Sequence, residues 1–116
     1  EPSLSTKRIG DMAEERVVDY LESVGHAILA RNWRTRFCEI DIVSTESGTI
    51  YFTEVKYRKS AEYGDGLEAI TQKKQRQMRF AAEYYALKHR ADGNIQLAAA
   101  AVSGDEFIVD RWLAVE

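Results

Sequence analysis

Apolar positions recur at helical spacing near the start of the chain. In residues 8–24, RIGDMAEERVVDYLESV, Ile9, Met12, Ala13, Val17, Tyr20, Leu21 and Val24 fall on one stripe, which predicts an amphipathic helix stopped by Gly25. The period then shortens. Residues 26–34, HAILARNWR, predict a first strand. Residues 37–45, FCEIDIVST, alternate, with Phe37, Glu39, Asp41 and Val43 on one face and Cys38, Ile40 and Ile42 on the other. Glu46-Ser47-Gly48 supplies turn chemistry, and residues 49–57, TIYFTEVKY, predict the returning strand of a hairpin. Residues 58–66, RKSAEYGDG, read as a polar loop. Residues 67–90 predict a long second helix with Leu67, Ile70, Met78, Phe80, Ala81, Tyr84, Tyr85 and Leu87 at its apolar positions, broken by Gly93-Asn94. Residues 95–102, IQLAAAAV, predict a buried strand. A turn at residues 103–105 leads to a last strand over 107–115. The order α-β-β-β-α-β-β predicts an α/β (α+β) fold with a mixed central sheet flanked by helices.

The predicted hairpin contains an anomaly. Strands disfavour Asp, Glu and Lys, yet Glu39, Asp41, Glu54 and Lys56 sit inside the two most strand-like segments. A hairpin folded about residues 46–48 places Asp41 near Thr53 and Glu54. Like charges on facing positions, about 5 Å apart, destabilise a strand pair. Water, a shared proton or a cation between them would relieve that repulsion. Hard divalent ions such as Mg²⁺ take carboxylate oxygens and keep several waters. Glu54 and Lys56, two apart, share a face, so an acidic site would have an ammonium beside it. That combination suits phosphodiester hydrolysis, in which a metal polarises the phosphoryl group and activates water. The bland alternative is a solvated sheet face laced with salt bridges. It is preferred for any one of these residues, but not for the set.

Size and composition narrow the class. The chain has 116 residues, 45% hydrophobic and 30% charged, so residues 1–116 are expected to form a single domain. No apolar run approaches the roughly 20 residues needed to cross a bilayer, so no membrane is expected. The chain opens on Glu1 and not on Met, from which a preceding residue or segment is expected. No secretory signal pattern is present, and the one cysteine, Cys38, permits no internal disulfide. A reducing, cytoplasmic location is the expectation. Two histidines, His26 and His89, without a Cys-x-x-Cys pair, argue against structural zinc.

The net charge of −3 is unevenly spread. Residues 31–90 carry 12 basic and 8 acidic side chains, residues 1–30 carry 3 and 6, and residues 91–116 carry 1 and 5. Phosphate binding depends on a local basic face and not on the total. The run Lys73-Lys74-Gln75-Arg76-Gln77-Met78-Arg79 is the main candidate, with a solvated helix face as its alternative. Arg31, Arg34 and Arg36 around Trp33 mix cations with an aromatic ring, as single-strand binders do, although a Trp is more often core. His26 and His89, with no partners at ligand spacing, read as structural or solvated, and Cys38 as a small buried residue.

The segments EIDIV and FTEVKYR resemble the Asp…Glu-x-Lys signature of the PD-(D/E)XK nuclease superfamily. From Gly10 to about Tyr85 the chain is similar to the YraN-like family of Holliday-junction-resolvase-like proteins. GDMAEERVVDYLESVGHAILARNWR looks like that family's opening helix and strand. CEIDIV is similar to its Gly-Glu-Ile-Asp segment, and YGDGLEAITQKKQRQMRFAAEYY to its Gly-bearing loop and basic helix, with Lys74 at the family's lysine. The resemblance implies a restriction-endonuclease-like α-β-β-β-α-β core. It implies Asp41 and Glu54 as metal ligands for Mg²⁺ or Mn²⁺, Glu14 as a further acid at the metal, and Lys56 as the catalytic lysine. Arg58, Lys73, Lys74 and Arg76 are then expected on the nucleic acid, with Glu39 as an outer partner of the site. The implied reaction is DNA hydrolysis leaving a 5′-phosphate, on branched, nicked or Holliday-junction DNA, and a homodimer would suit such a substrate. The chain departs from the family in having Ala13 and Cys38 where glycine is usual. It also has Gln96-Leu97-Ala98-Ala99 where the family's fourth strand carries a polar Arg-Phe-Asp-like segment. The alternative function is a non-catalytic DNA- or protein-binding module of the same fold.

Overall fold

A computed structural model describes residues 5–60, 62, 67 and 70–115. Ser5 opens the first helix: its side chain accepts from the backbone N–H of Arg8 at 3.1 Å, a hydroxyl N-cap. Helix α1 then runs Thr6–Ser23, and Gly25, at φ +101°, turns the chain out of it. The stripe read from the sequence is narrower in the fold. Ala13, Val17 and Leu21 are fully buried, whereas Tyr20 and Val24 face solvent.

Five strands follow the expected order: β1 Ala27–Arg34, β2 Glu39–Glu46, β3 Thr49–Arg58, β4 Asn94–Ser103 and β5 Ile108–Val115, with α2, Gln72–Lys88, between β3 and β4. The sheet order is β1-β2-β3-β4-β5, antiparallel except for the parallel pair β3–β4. That parallel pair requires a crossover, and α2 supplies it. The β2–β3 turn is a two-residue one, Ser47-Gly48, with both φ angles positive (52° and 82°) and Glu46 paired with Thr49. This geometry matches the twist of the flanking strands. Gly93 packs against that turn: a Cβ there would lie 2.3 Å from the Gly48 carbonyl oxygen.

Two hydrophobic clusters form on the sheet. Met78, Ala81, Ala82 and Tyr85 of α2 pack on Ile40, Val43, Phe52 and Leu97. Ala13, Val17 and Leu21 of α1 pack with Ile42, Ala100, Val102 and Phe107. The result is a mixed α/β fold, a five-stranded sheet with two helices, compatible with the expected α-β-β-β-α-β core. The alanine run of β4 is a strand buried throughout, with Ala98, Ala99, Ala100 and Ala101 all at 0% exposure.

The second helix begins later than its apolar pattern predicts. Thr71 caps it by accepting from the Lys74 N–H at 3.1 Å, and this fixes the start at Gln72. Ile70 is buried ahead of the helix, in a turn closed by its N–H onto the Leu67 carbonyl at 3.0 Å. Most of the predicted loop over 58–66, and residues 68 and 69 of the predicted helix, lie outside the described residues. Among the described residues no helix is long and apolar enough to cross a membrane.

Candidate active site

Strict alternation along β2 would put Ile40 and Ile42 on one face. The structure separates them: Ile42 packs on the α1 side and Ile40, with Cys38 beside it, on the α2 side. The reversal falls at Asp41. The neighbouring strand reverses at the same level. Between the pairs Arg31–Ile42 and Trp33–Ile40 stands Asn32, at φ +52°, a left-handed conformation that Asn tolerates better than most side chains. The regular β2–β3 pairing runs from Glu46–Thr49 to Ile42–Thr53. Beyond it, the Asp41 side chain takes over as acceptor: its Oδ2 receives the Val55 backbone N–H at 2.8 Å. The sheet thus opens where the hairpin's acids lie.

Glu54 follows on β3, only 8% exposed, beside Ala99 in the parallel register. Two lysines hold its carboxylate. Lys56 Nζ lies 3.2 Å from Oε2 and Lys74 Nζ 3.6 Å from Oε1. Lys56 was expected here from its i+2 spacing. Lys74 was assigned to DNA backbone contacts along with Arg58, Lys73 and Arg76; it instead turns inward from α2 to the acid. The first-turn position that Thr71 sets for the helix brings it there. Lys73, Arg76 and Arg58 are exposed.

Glu14 enters from α1. Its Oε1 lies 3.9 Å from Arg31 Nη2, and Asn32 hydrogen-bonds the same carboxylate. Yet Oε1 is buried without a hydrogen-bond partner. Glu39 is drawn outward to Arg34, 3.7 Å away. Beneath the site, the Trp112 indole N–H donates to Thr53 Oγ1 at 3.1 Å, and His26, near Ser44 Oγ at 2.9 Å and against the Tyr51 and Trp112 rings, is structural as expected.

Electrostatics single out Asp41. Burial, then the neighbouring charge of Glu54, pushes its carboxyl up to about 7; the Val55 N–H opposes this, and Glu14 and Glu39 add to it. Burial likewise raises Glu14, against the pull of Asn32 and Arg31, with Asp11 and Glu39 reinforcing the rise. Burial also raises the Cys38 thiol, which keeps it protonated and unreactive. Burial, with acid–acid repulsion added to it, therefore governs Asp41 and Glu14.

Among the described residues no group of three or more His, Cys, Asp or Glu side chains is assembled around one point where a metal ion would fit. The charge of Glu54 raises the Asp41 carboxyl, and Glu14, paired with Arg31, is close enough for its own charge to raise Asp41 as well. The donor set nonetheless suits a hard divalent cation. It is made of carboxylate oxygens, the hard donors such an ion takes, and among them Glu14 Oε1 is buried without a hydrogen-bond partner.

Sequence reasoning missed the part played by Lys74, Arg31 and Asn32. An Asn inside a strand pattern was the available signal, because strands disfavour it. Nothing in the helical period of α2 marks Lys74 as inward-turned.

A mixed five-stranded sheet between two helices, opened at one strand pair to gather acids and lysines, defines an α/β protein with an acidic, lysine-flanked site. The chain belongs to the Uncharacterised protein family UPF0102, whose model matches residues 13–103. It is 40% identical over 88 residues to a UPF0102 protein of Caldicellulosiruptor saccharolyticus, covering 76% of this chain and 75% of that protein. It is 46% identical over 87 residues to one from Lachnoclostridium phytofermentans, covering 75% and 74%. It is 37% identical over 94 residues to one from Methylococcus capsulatus, covering 81% and 76%. The matched segment contains every acid and lysine of the site and stops at the end of β4.

Proposed function

We propose that this chain is a metal-dependent deoxyribonuclease that hydrolyses phosphodiester bonds in DNA, with Asp41 and Glu54 holding Mg²⁺ or Mn²⁺ and Glu14 contributing from α1. The observation that carries this reading is Asp41 held on the Val55 N–H at 2.8 Å, one residue from Glu54, whose charge acts on it, with the Lys56 ammonium 3.2 Å from Glu54. A bound divalent ion would supply Lewis-acid polarisation of the phosphoryl oxygen and a more acidic water. The protein does the rest. Val55 fixes the Asp41 carboxylate through its N–H. The Lys56 ammonium, beside Glu54, would place its charge where negative charge builds on the phosphoryl group. Lys74 balances the Glu54 carboxylate from α2. Exposed Lys73, Arg76 and Arg58 attract the backbone without reading sequence. Nicked and branched DNA are the proposed substrates, with a homodimer as the proposed assembly.

The rival reading, a non-catalytic binding module, is favoured by one observation: β4 places Ala99 beside Glu54, so the fourth strand brings no polar side chain to that position. Cleavage assays on junction, flap and single-stranded DNA with Mg²⁺ and Mn²⁺ separate the two. The enzyme reading expects cleavage by the unaltered protein. It also expects Lys56→Ala to cut about a hundredfold or more slower, with DNA affinity changed only a few-fold, since the lysine acts mainly in the transition state. No cleavage on any substrate, with affinity loss as the only effect of Lys56→Ala, would establish the binding module.

A further inference from the structure

The outward face of α2 carries a second constellation. Phe80 and Tyr84 stand one helical turn apart, 55% and 47% exposed, and Leu87 follows at 80%. Each ring has a partner from the β1–β2 end of the sheet. Phe37, itself 40% exposed, stacks on Phe80 with centroids 5.5 Å and planes 26° apart. Trp33 stacks on Tyr84 at 6.2 Å and 21°. Isolated exposed apolar residues need no explanation. Two stacked aromatic pairs at successive turns of one helix do, with Trp33 backing Tyr84 from the core, edge-on to Tyr85.

One cation is placed on them: the Lys88 ammonium lies 6.0 Å from the centre of the Tyr84 ring. Exposed Arg34 and Arg36 flank Trp33 and Phe37 in sequence, and exposed Arg76 stands one helical turn before Phe80. Helix α2 carries five basic residues and a single acidic one, Glu83. The acid on the strand side, Glu39, is tied to Arg34. Ring faces set among cations match a flexible polyanion with flat apolar rings. A duplex does not fit this description, because its base faces are hidden in the stack.

We infer that Phe37, Phe80, Trp33 and Tyr84 form a stacking platform for the unpaired bases of a DNA strand. The choice of DNA rests on the nuclease reading above. The platform narrows the substrate class: the chain takes DNA with a single-stranded segment, such as a flap, a gap or a splayed arm of a junction. Its position suits this. Lys74, at Glu54, lies six residues before Phe80, or about 9 Å along the helix axis. At about 3.4 Å per stacked nucleotide, a strand seated on the platform reaches the level of the acids within about three nucleotides.

The test uses the whole chain in EDTA, so that no cleavage occurs. Fluorescence anisotropy is read on a labelled single strand and on the matching duplex. Phe80→Ala and Phe37→Ala should each weaken single-strand binding on the order of tenfold, as for loss of one stacking ring. Duplex binding should stay unchanged, and Phe80→Trp should restore single-strand affinity. Because Phe80 and Phe37 are exposed, thermal melts of both variants should match the unaltered protein. Equal losses on single strand and duplex, no loss on either, or no single-strand binding by the unaltered protein would each overturn the platform. Sedimentation of the same variants closes the other route: a dimer that Phe80→Ala splits, with DNA affinity intact, would make this face a contact between copies and overturn the inference. Failed cleavage with metal bears on the nuclease reading alone, since the binding measurements need no catalysis.

Discussion

Asp41→Asn tests the site without any need for a substrate. In the fold the carboxyl keeps its proton up to about pH 7; in the unfolded chain it loses it near 3.8. The folded state therefore binds the extra proton between those values, and stability falls as pH rises through that window. Below about pH 4 both states are protonated and nothing is lost. Above about pH 7 both are ionised and the loss is complete. At about 1.4 kcal/mol per pH unit, it amounts to something on the order of 4 kcal/mol. Asn keeps the size of Asp and an oxygen that can accept the Val55 N–H, but carries no charge to bury beside Glu54. Its amide N–H groups would lack some of their partners, at about 1–3 kcal/mol. The net expectation at pH 8 without metal is a gain of about 1–3 kcal/mol, or roughly 4–12 °C in Tm for a domain of this size. The assay is a series of thermal melts in EDTA from pH 4 to pH 8.5 on both proteins. The gap should open between pH 4 and 7 and then level off. Adding Mg²⁺ should raise the Tm of the unaltered protein at pH 8 and leave Asp41→Asn nearly unmoved. A gap independent of pH, or a variant less stable at pH 8, would refute the account of Asp41 as a buried acid beside Glu54.

Other outcomes follow from neighbouring groups. Lys74→Met removes an ammonium that competes for the Glu54 carboxylate, so Mn²⁺ should bind about tenfold or more tightly by calorimetry; weaker binding would mean that Lys74 helps to build the metal site. Replacing Lys73 and Arg76 by Gln should weaken binding to all duplex sequences alike and flatten the salt dependence by up to about 0.9 per lost phosphate contact. An unchanged slope would remove this face from the DNA. Gly93→Ala drives a Cβ into the Gly48 carbonyl oxygen and forces the β2–β3 turn to shift, with an expected cost of about 1–3 kcal/mol in denaturant melts; an unaffected midpoint would show that the turn yields freely.

Much of this architecture is written in local pattern. The helical stripe of α1, the hairpin about Ser47-Gly48 and the apolar fourth strand are short-range signals, and the structure keeps each element, with the stripe narrowed to Ala13, Val17 and Leu21 and the alternation of β2 broken at Asp41. The acid pair was legible for the same reason: Asp41 and Glu54 break the strand pattern at positions that the hairpin brings together. The ends of α2 and the faces of β2 were not legible. An apolar position such as Ile70 is buried whether or not it is helical, so periodicity alone extended the helix past the cap that Thr71 makes. The face reversal at Asp41 needs two strands to distort together, with Asn32 on one and the Asp41–Val55 hydrogen bond on the other. Lys74 and Arg31 likewise have no local mark of their roles. Each is defined by an acid that is distant in sequence, Glu54 or Glu14, and only tertiary packing brings α2 and α1 against opposite faces of the sheet. Local sequence determined which elements form and which residues are chemically out of place. The packing of two helices on one twisted sheet decided which charges meet, because burial and Coulomb energy depend on through-space distance and not on sequence separation.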